Sequence, residues 1–329
     1  MSPVIVPIAR IAAALLTACT VQFAFGQAYP GKPIRIIVPF AAGGLVDTLA
    51  RTMGPALTES MGQAVVIENR AGGSSIIGMS ACAKAAADGY TLCFTTADSL
   101  GYNPHLFLDL PYHPDADFAP IINLGWTNNL LVANAKAPFH SYKELIAHAK
   151  AKPGAINWAT WGPASLPDLY LQWTKRQFGL DITAIPYKGA AQGNPAVLSG
   201  EADVTYMGFG VAGPFIKAGK IKPLVAIGDR RSSFMPNLPT LADEGGDPGL
   251  RGYFGAFAPG RTPRRIVDRL NAELTKAIRT SKLQDLYRAS TLEFMENSSS
   301  EFAEFTKTDR ANAGKVFRGI GIRPSSAPS

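Results

Sequence analysis

Short apolar runs alternate with helical stretches along most of this 329-residue chain, and that alternation restricts the fold more than any other feature. Strand-like runs occur at Ile34–Phe40, Ala64–Asn69, Thr91–Thr96, Leu130–Ala133, Ile156–Thr160, Ile182–Pro186, Val204–Met207 and Leu224–Ile227. Between most of them lie helical patterns, near 46–60, 75–86, 142–151, 167–178, 190–199 and 212–218. Such alternation predicts an α/β fold of mostly parallel sheets flanked by helices. Gly54-Pro55 inside the first helical stretch predicts a kink or an early end, because proline removes a backbone hydrogen bond. After about residue 250 the pattern turns helical. Thr262-Pro263 reads as an N-cap and first helical position. Ile266, Val267, Leu270, Leu274, Ala277 and Ile278 then form an apolar stripe, and Ser298 with Glu301 makes a capping-box pattern before Phe302 and Phe305. No long low-complexity linker precedes this part, so it is expected to pack back on a domain formed earlier. Two domains then share the chain discontinuously, with a hinge and a cleft between them.

The stretch Ile34–Arg51, IRIIVPFAAGGLVDTLAR, carries the strongest local signal. It reads as strand, glycine loop and helix start. Gly43 and Gly44 let the backbone approach a ligand closely. The helix start leaves amide N–H groups unpaired at the positive end of the dipole, a seat for a carboxylate or a phosphate. An ordinary turn uses glycines too, so the pair alone decides little. In open parallel sheets the loops after strand ends form the ligand crevice. Here they are Ala41–Val46, Ala97–Asn103, Trp161–Pro167, Lys188–Ala191 and Gly208–Ala212, rich in small residues and main-chain donors.

The first 26 residues read as an export signal, with Arg10 as their only charge and a short apolar core at Ile11–Phe25. Ala24-Phe25-Gly26 places the cut after Gly26. Leu16-Thr17-Ala18-Cys19 resembles a lipobox, which gives a lipid anchor through Cys19 as the second choice. Either route predicts the periplasm. The net charge of +7 is scattered, with no basic stripe interleaved with aromatics, so nucleic acid is not expected as a partner. Cys82 and Cys93 remain after cleavage, and two buried thiols or a disulfide fit them equally well.

Catalytic signals are sparse. The chain has four histidines, His105, His113, His140 and His148, and none pairs in sequence with a nucleophile motif. There is no G-x-S-x-G elbow, H-E-x-x-H, P-loop or G-x-G-x-x-G. Asp47, Asp98, Asp168 and Asp203 stand near loops, and Asp47 and Asp203 read best as cap or turn residues. No catalytic residue, metal ligand or cofactor is assigned, and binding rather than catalysis is expected.

The chain resembles the periplasmic substrate-binding proteins of tripartite tricarboxylate transporters, the Bug (TctC-like) family. The resemblance rests on many short pieces in order: Tyr29–Arg35, the PFAAGGLVD loop, Gly62-Gln63, Val66–Arg70, Asp88–Leu92, Asn103-Pro104, Leu110–Tyr112, Asp117-Phe118, Pro186–Gly189, Lys217–Lys220, Pro239-Thr240 and Ala258-Pro259. It implies a two-lobed, Venus-flytrap fold, divided as 27–128 plus 252–329 and 129–251. It also implies a carboxylate ligand held between the lobes and delivery to a membrane permease; the ligand expected is a small organic carboxylate, aromatic or dicarboxylic. Monomer is the default state. The first carboxylate is expected at Phe40, Ala42, Gly43, Gly44 and Asp47. Thr96 and Asp98, then Thr160, Trp161, Gly162 and Ser165, and Tyr187, Lys188 and Gly189 are expected to complete the cleft, with Met207 as a further lining residue. The chain departs from the family at Leu45-Val46, Trp161, Asp168, Gln192 and Met207. Apolar groups there suggest an aromatic body on the ligand, stacked on Trp161; packing of Trp161 against its own domain fits nearly as well. Met207 at that position would disfavour an ammonium group. A sensor that presents its closed form to a histidine kinase is the alternative role, and an enzyme acting on a carboxylic acid is a more distant one.

Overall fold

The computed structural model describes residues 29–162, 165–228 and 230–327. The export signal and Cys19 therefore lie outside the described residues.

Two sheets organise the chain. The first contains β1 (Ile34–Val38), β2 (Val65–Asn69), β3 (Thr91–Thr96), β4 (Phe118–Thr127), β10 (Tyr253–Pro259) and β11 (Leu292–Glu293), in the order β11-β4-β10-β3-β1-β2. The second contains β5 (Asn129–Asn134), β6 (Asn157–Thr160), β7 (Thr183–Pro186), β8 (Val204–Gly208) and β9 (Ile221–Ala226), in the order β7-β6-β8-β5-β9. Both sheets are mixed. β1 pairs parallel with β2 and β3, and β6 with β7 and β8. The antiparallel partners are the strands next to the crossovers: β10 and β4 in the first sheet, β5 and β9 in the second. The alternating part of the sequence forms the parallel units. β5 and β10 break the pattern, since each enters from the other sheet and runs against its neighbours.

Helices follow the strands: α1 (Leu45–Met61), α2 (Ile76–Ala83), α3 (Asn103–Leu106), α4 (Tyr142–Ala151), α5 (Leu166–Phe178), α6 (Ala190–Ser199), α7 (Phe209–Lys217), α8 (Arg264–Ile278), α9 (Ser281–Ser290) and α10 (Ser299–Gly319). α1 runs on past Pro55 to Met61 instead of ending early. Thr58 Oγ1 donates to Gly54 O at 2.9 Å beside the proline. α8 starts one residue later than its sequence suggested: Pro263 is the N-cap, and Thr262 Oγ1 donates to Pro259 O at 2.7 Å. The Ser298–Glu301 capping box forms as expected.

Apolar burial follows these layers. α1, α8 and α9 cover one face of the first sheet through Leu49, Met53, Leu270 and Leu274, all fully buried. A second cluster continues from the other face, through Leu100, Tyr102, Phe257 and Phe317, to Tyr170 of α5 and to Tyr206 and Trp158 of the second sheet. α6 and α7 close the far face of that sheet over Val132, Val197 and Met207. Cys82 of α2 and Cys93 of β3 are joined in a disulfide, with Cα atoms 6.2 Å apart. No helix among the described residues is long and apolar enough to cross a membrane.

Candidate functional site

Strand register decides where a ligand can enter. β4 is parallel to β3, since β10 is antiparallel to both. The C-terminal ends of β1, β2, β3 and β4 therefore lie at one edge of the first sheet. β4 stops at Thr127 and β5 starts at Asn129, opposite Gly208, the last residue of β8. Hence the carboxyl ends of the parallel strands in both sheets meet at the crossovers. The second crossover returns to the same place, where Thr127 N donates to Gly252 O and Ile227 N donates to Asn129 O.

At the end of β1 the glycine loop is exposed from Ala41 to Gly44, while Phe40 is half-buried against the core below. Gly43 sits at φ 90°, a conformation side chains rarely adopt. Its amide donates to Asp47 Oδ2 at 2.9 Å. Asp47 is buried and also accepts from Arg51 Nε at 2.9 Å and Asn69 Nδ2 at 2.9 Å. Burial alone would raise its carboxyl, but the bonds from Arg51, Gly43 and Asn69 outweigh it and hold the group below the usual carboxylate range. Asn69 Nδ2 reaches Phe40 O as well, at 3.1 Å. Two residues thus change role relative to the sequence reading. Asp47 braces the loop from beneath, and Gly43 shapes it, its amide already engaged. The amides that remain for an acid are those of Gly44 and of the helix start, Leu45 and Val46, since Gly44 caps α1 without a side-chain hydrogen bond.

The same feature recurs at the other strand ends. α2, α5, α6 and α7 follow β2, β6, β7 and β8, and each begins without a side-chain cap, at Ser75, Ser165, Gly189 and Gly208. Among the described residues the side-chain caps are at Ser141 and Ser298, whose helices α4 and α10 do not follow these strand ends. α8 and α9 also lack one. Helix starts gathered at one junction present several positive dipole ends to it, and this favours an anion.

Around β3, Thr96 Oγ1 donates to Asp98 Oδ2 at 3.0 Å. Asp98 is exposed to water, and desolvation by the protein behind it still pushes its proton affinity up against the Thr96 bond. Its charge also acts on Tyr206 of the second sheet. Asp98 therefore stands where the two sheets face each other. Beneath it runs a buried hydroxyl chain, with Ser75 Oγ 2.7 Å from Ser99 Oγ and Thr95 Oγ1 2.5 Å from it. Gly72, Gly73, Ser74 and Ser75 all have positive φ, at 128°, 51°, 51° and 74°. Two serines in that region are uncommon, and Asn103 Nδ2 holds the turn through Ser74 O at 2.9 Å. The sequence reading missed this second loop, although Gly72-Gly73 after a strand is the same signal as Gly43-Gly44.

On the second sheet, Thr160 is buried and Gly162 turns at φ 99°. Ser165 Oγ accepts from Trp161 N at 3.2 Å and donates to Gly162 O at 2.7 Å, closing the loop. The Trp161 ring meets Tyr206 edge-on at 5.8 Å and lies against Gly193 of α6. That is packing against its own lobe, and the side chain stays half-buried, part of it open to solvent. Tyr187 OH donates to Glu201 at 2.7 Å, and Lys188 is exposed, its amide donating to Gln192 Oε1 at 3.1 Å. Gly189 at φ 95° leads into α6. Met207 is fully buried, in the cluster with Leu130 and Ala159, so it is a core residue and not a lining residue. Met207 stays within its strand, as the sequence predicts, and its side chain turns into the layer beneath α6 and α7 rather than toward the cleft that the resemblance implied. Among the described residues no group of three His, Cys, Asp or Glu gathers where a metal could sit.

Comparison with known proteins agrees with this layout. The model of the tripartite tricarboxylate transporter family receptor matches residues 49–322. A UPF0065 protein of Bordetella pertussis is 30% identical over 302 residues, 92% of this chain and 93% of its own. The structure of Rpa4515 from R. palustris with adipate is 31% identical, with a TM-score of 0.73 over 90% of this chain and all of that one. MatC from Rhodopseudomonas palustris with bound malate is 28% identical, with a TM-score of 0.68 over 88% of this chain and 99% of that one. The two sheets with their helices are thus the two lobes of a periplasmic-binding-protein fold, and the chain belongs to the tripartite tricarboxylate transporter receptor family of solute-binding proteins.

Proposed function

We propose that this protein is a periplasmic receptor that captures a small organic carboxylate between its lobes and delivers it to the membrane permease of a tripartite tricarboxylate-type transporter. The lobes are 27–128 with 252–329, and 129–251. The protein works as a monomer, and its mechanism is binding and closure without bond making. The observation that carries the reading is the uncapped start of α1 beside the exposed Ala42–Gly44 loop, at the junction where the other lobe brings its own uncapped starts. Gly44, Leu45 and Val46 donate their amides to one carboxylate. Bonds from amides to an ionised acid are about twice as strong as neutral ones. Closure removes water and strengthens them further, and the ligand drives closure only by its preference for the closed state.

Asp98 refines the ligand class. An exposed carboxyl of raised proton affinity, at the end of the strand beside β1, favours a ligand that offers it a proton or a donor, such as a hydroxyl or a second, protonated carboxyl. Adipate and malate in the two related structures are dicarboxylic acids and support the dicarboxylic member of the class over the aromatic one. Trp161 packs against Tyr206, which weakens the case for ring stacking. With Met207 in the core, its argument against an ammonium group lapses.

A thermal-shift screen of the purified protein over mono-, di- and tricarboxylates, aromatic ones included, tests the reading. A ligand at a hundredfold excess over its dissociation constant adds about 2.7 kcal/mol, a visible shift. Calorimetry then fixes the stoichiometry at one. If no acid in the panel stabilises the protein, the reading fails.

A further inference from the structure

A cavity of about 530 Å³ lies at the crossovers, on the β4, β11 and β9 edge, away from the glycine loop at β1. Its walls come from both crossover segments, at Thr127–Asn129 and at Ile227–Gly228 with Leu250–Gly252, and from α10. A second cavity of about 200 Å³ adjoins it and shares Trp126, Arg230, Met295 and Phe305. One wall is aromatic, with the Trp126 and Phe305 rings edge to face at 4.7 Å. Met295 extends that wall and is 45% exposed, an uncovered apolar group beside the cavity.

The charges around the cavity are unevenly satisfied. Glu293 accepts from Ser232 Oγ, Ser233 N and Ser233 Oγ at 3.2, 3.0 and 2.7 Å. Glu296 pairs with Arg279, and Glu301 is bound in its capping box. Arg231 pairs with Asp243 at 3.2 Å and Arg251 with Asp247 at 2.8 Å. Arg230 differs: among the described residues its guanidinium contacts the Met295 thioether, Nη1 to Sδ at 3.0 Å, and no oxygen. Sulfur is a weak acceptor, whereas a planar guanidinium matches a carboxylate with two parallel bonds.

We propose that this hinge cavity is a second binding site, for a small carboxylate with a flat apolar body. The carboxylate pairs with Arg230 in place of the thioether, and the ring lies against Trp126, Phe305 and Met295. This site shares no residue with the carboxylate seat at α1, so the proposal stands apart from the reading of the cleft.

Titration with 4-fluorobenzoate, followed by its ¹⁹F resonance, tests this on the mature protein and on Arg230→Gln. Arg230 is exposed, so the variant is expected to fold, and its melting curve checks that. The wild type should show saturable binding that the variant weakens at least tenfold, the scale of one lost charge-assisted hydrogen bond. If the cleft takes the probe too, the wild type shows two sites and the variant one. Absence of saturable binding to the wild type overturns the proposal, and so does binding that Arg230→Gln leaves unchanged.

Discussion

Replacing Asp309 with asparagine should stabilise this protein at alkaline pH and hardly at all near pH 4. Asp309 lies on α10, is 2% exposed, and packs against Gly101 of the turn after β3. Neither carboxyl oxygen accepts a bond of full hydrogen-bond geometry among the described residues, although the Arg251 main-chain N–H lies near enough to act on the group. Burial pushes its proton affinity up to about 7 from 3.8, with Asp98 adding to the effect and Arg251 and Arg310 opposing it. The folded chain therefore holds a proton that the unfolded chain releases between those values. A raised carboxyl makes stability fall as pH rises through that window and level off above it. The whole effect is on the order of 4 kcal/mol at pH 8, of which roughly 1.5 kcal/mol is already present at pH 5. Asparagine has the same shape and does not ionise, so the difference between variant and wild type isolates this group. Urea unfolding of both at pH 5 and pH 8 should show the variant's advantage growing by about 2–3 kcal/mol. An advantage that stays constant with pH would refute the argument.

Gly44→Leu should fold within about 1 kcal/mol of the wild type, a typical surface cost, because Gly44 has ordinary extended backbone and a Cβ there would meet only Ala41 O at 3.8 Å. The same change should abolish carboxylate binding in calorimetry, since the side chain fills the mouth of the seat; retained affinity would move the site elsewhere. Reducing the Cys82–Cys93 disulfide, which spans 11 residues, should cost about 3 kcal/mol in urea unfolding. An unchanged midpoint would mean the bond does not form. Asp98→Ala should weaken hydroxy and dicarboxylic acids about tenfold relative to simple monocarboxylates, the scale of one hydrogen bond to a charged group. Equal losses for both classes would take Asp98 out of ligand selection.

What the sequence revealed follows from how local each feature is. The β1–loop–α1 unit, the parallel strands and the Ser298–Glu301 capping box all depend on neighbours within a few residues. β10 escaped the sequence reading because every residue of YFGAFAP is buried, leaving no alternation to detect. β4 escaped because Pro120 and Gly125 interrupt it and its register shifts twice against β10. Both strands owe their place to partners more than 100 residues away. The site shows the same division. Gly43 and Gly44 could be read from adjacent residues, but the part Asp47 plays is set by Asn69, 22 positions on. The hydroxyl chain joins Ser75 and Ser99 across two strands. The resemblance alone puts Met207 in the cleft; its burial is set by Leu130 and Ala159, more than 45 positions earlier in the chain.

The main-chain seat can be observed atom by atom. Backbone ¹H–¹⁵N spectra recorded while the protein is titrated with an acid that passes the thermal screen would report on Gly44, Leu45 and Val46 directly. The amide protons of these residues should move downfield together, saturate at one equivalent and become protected from exchange. Saturating binding that leaves all three resonances where they were would contradict the claim that a helix start holds the acid.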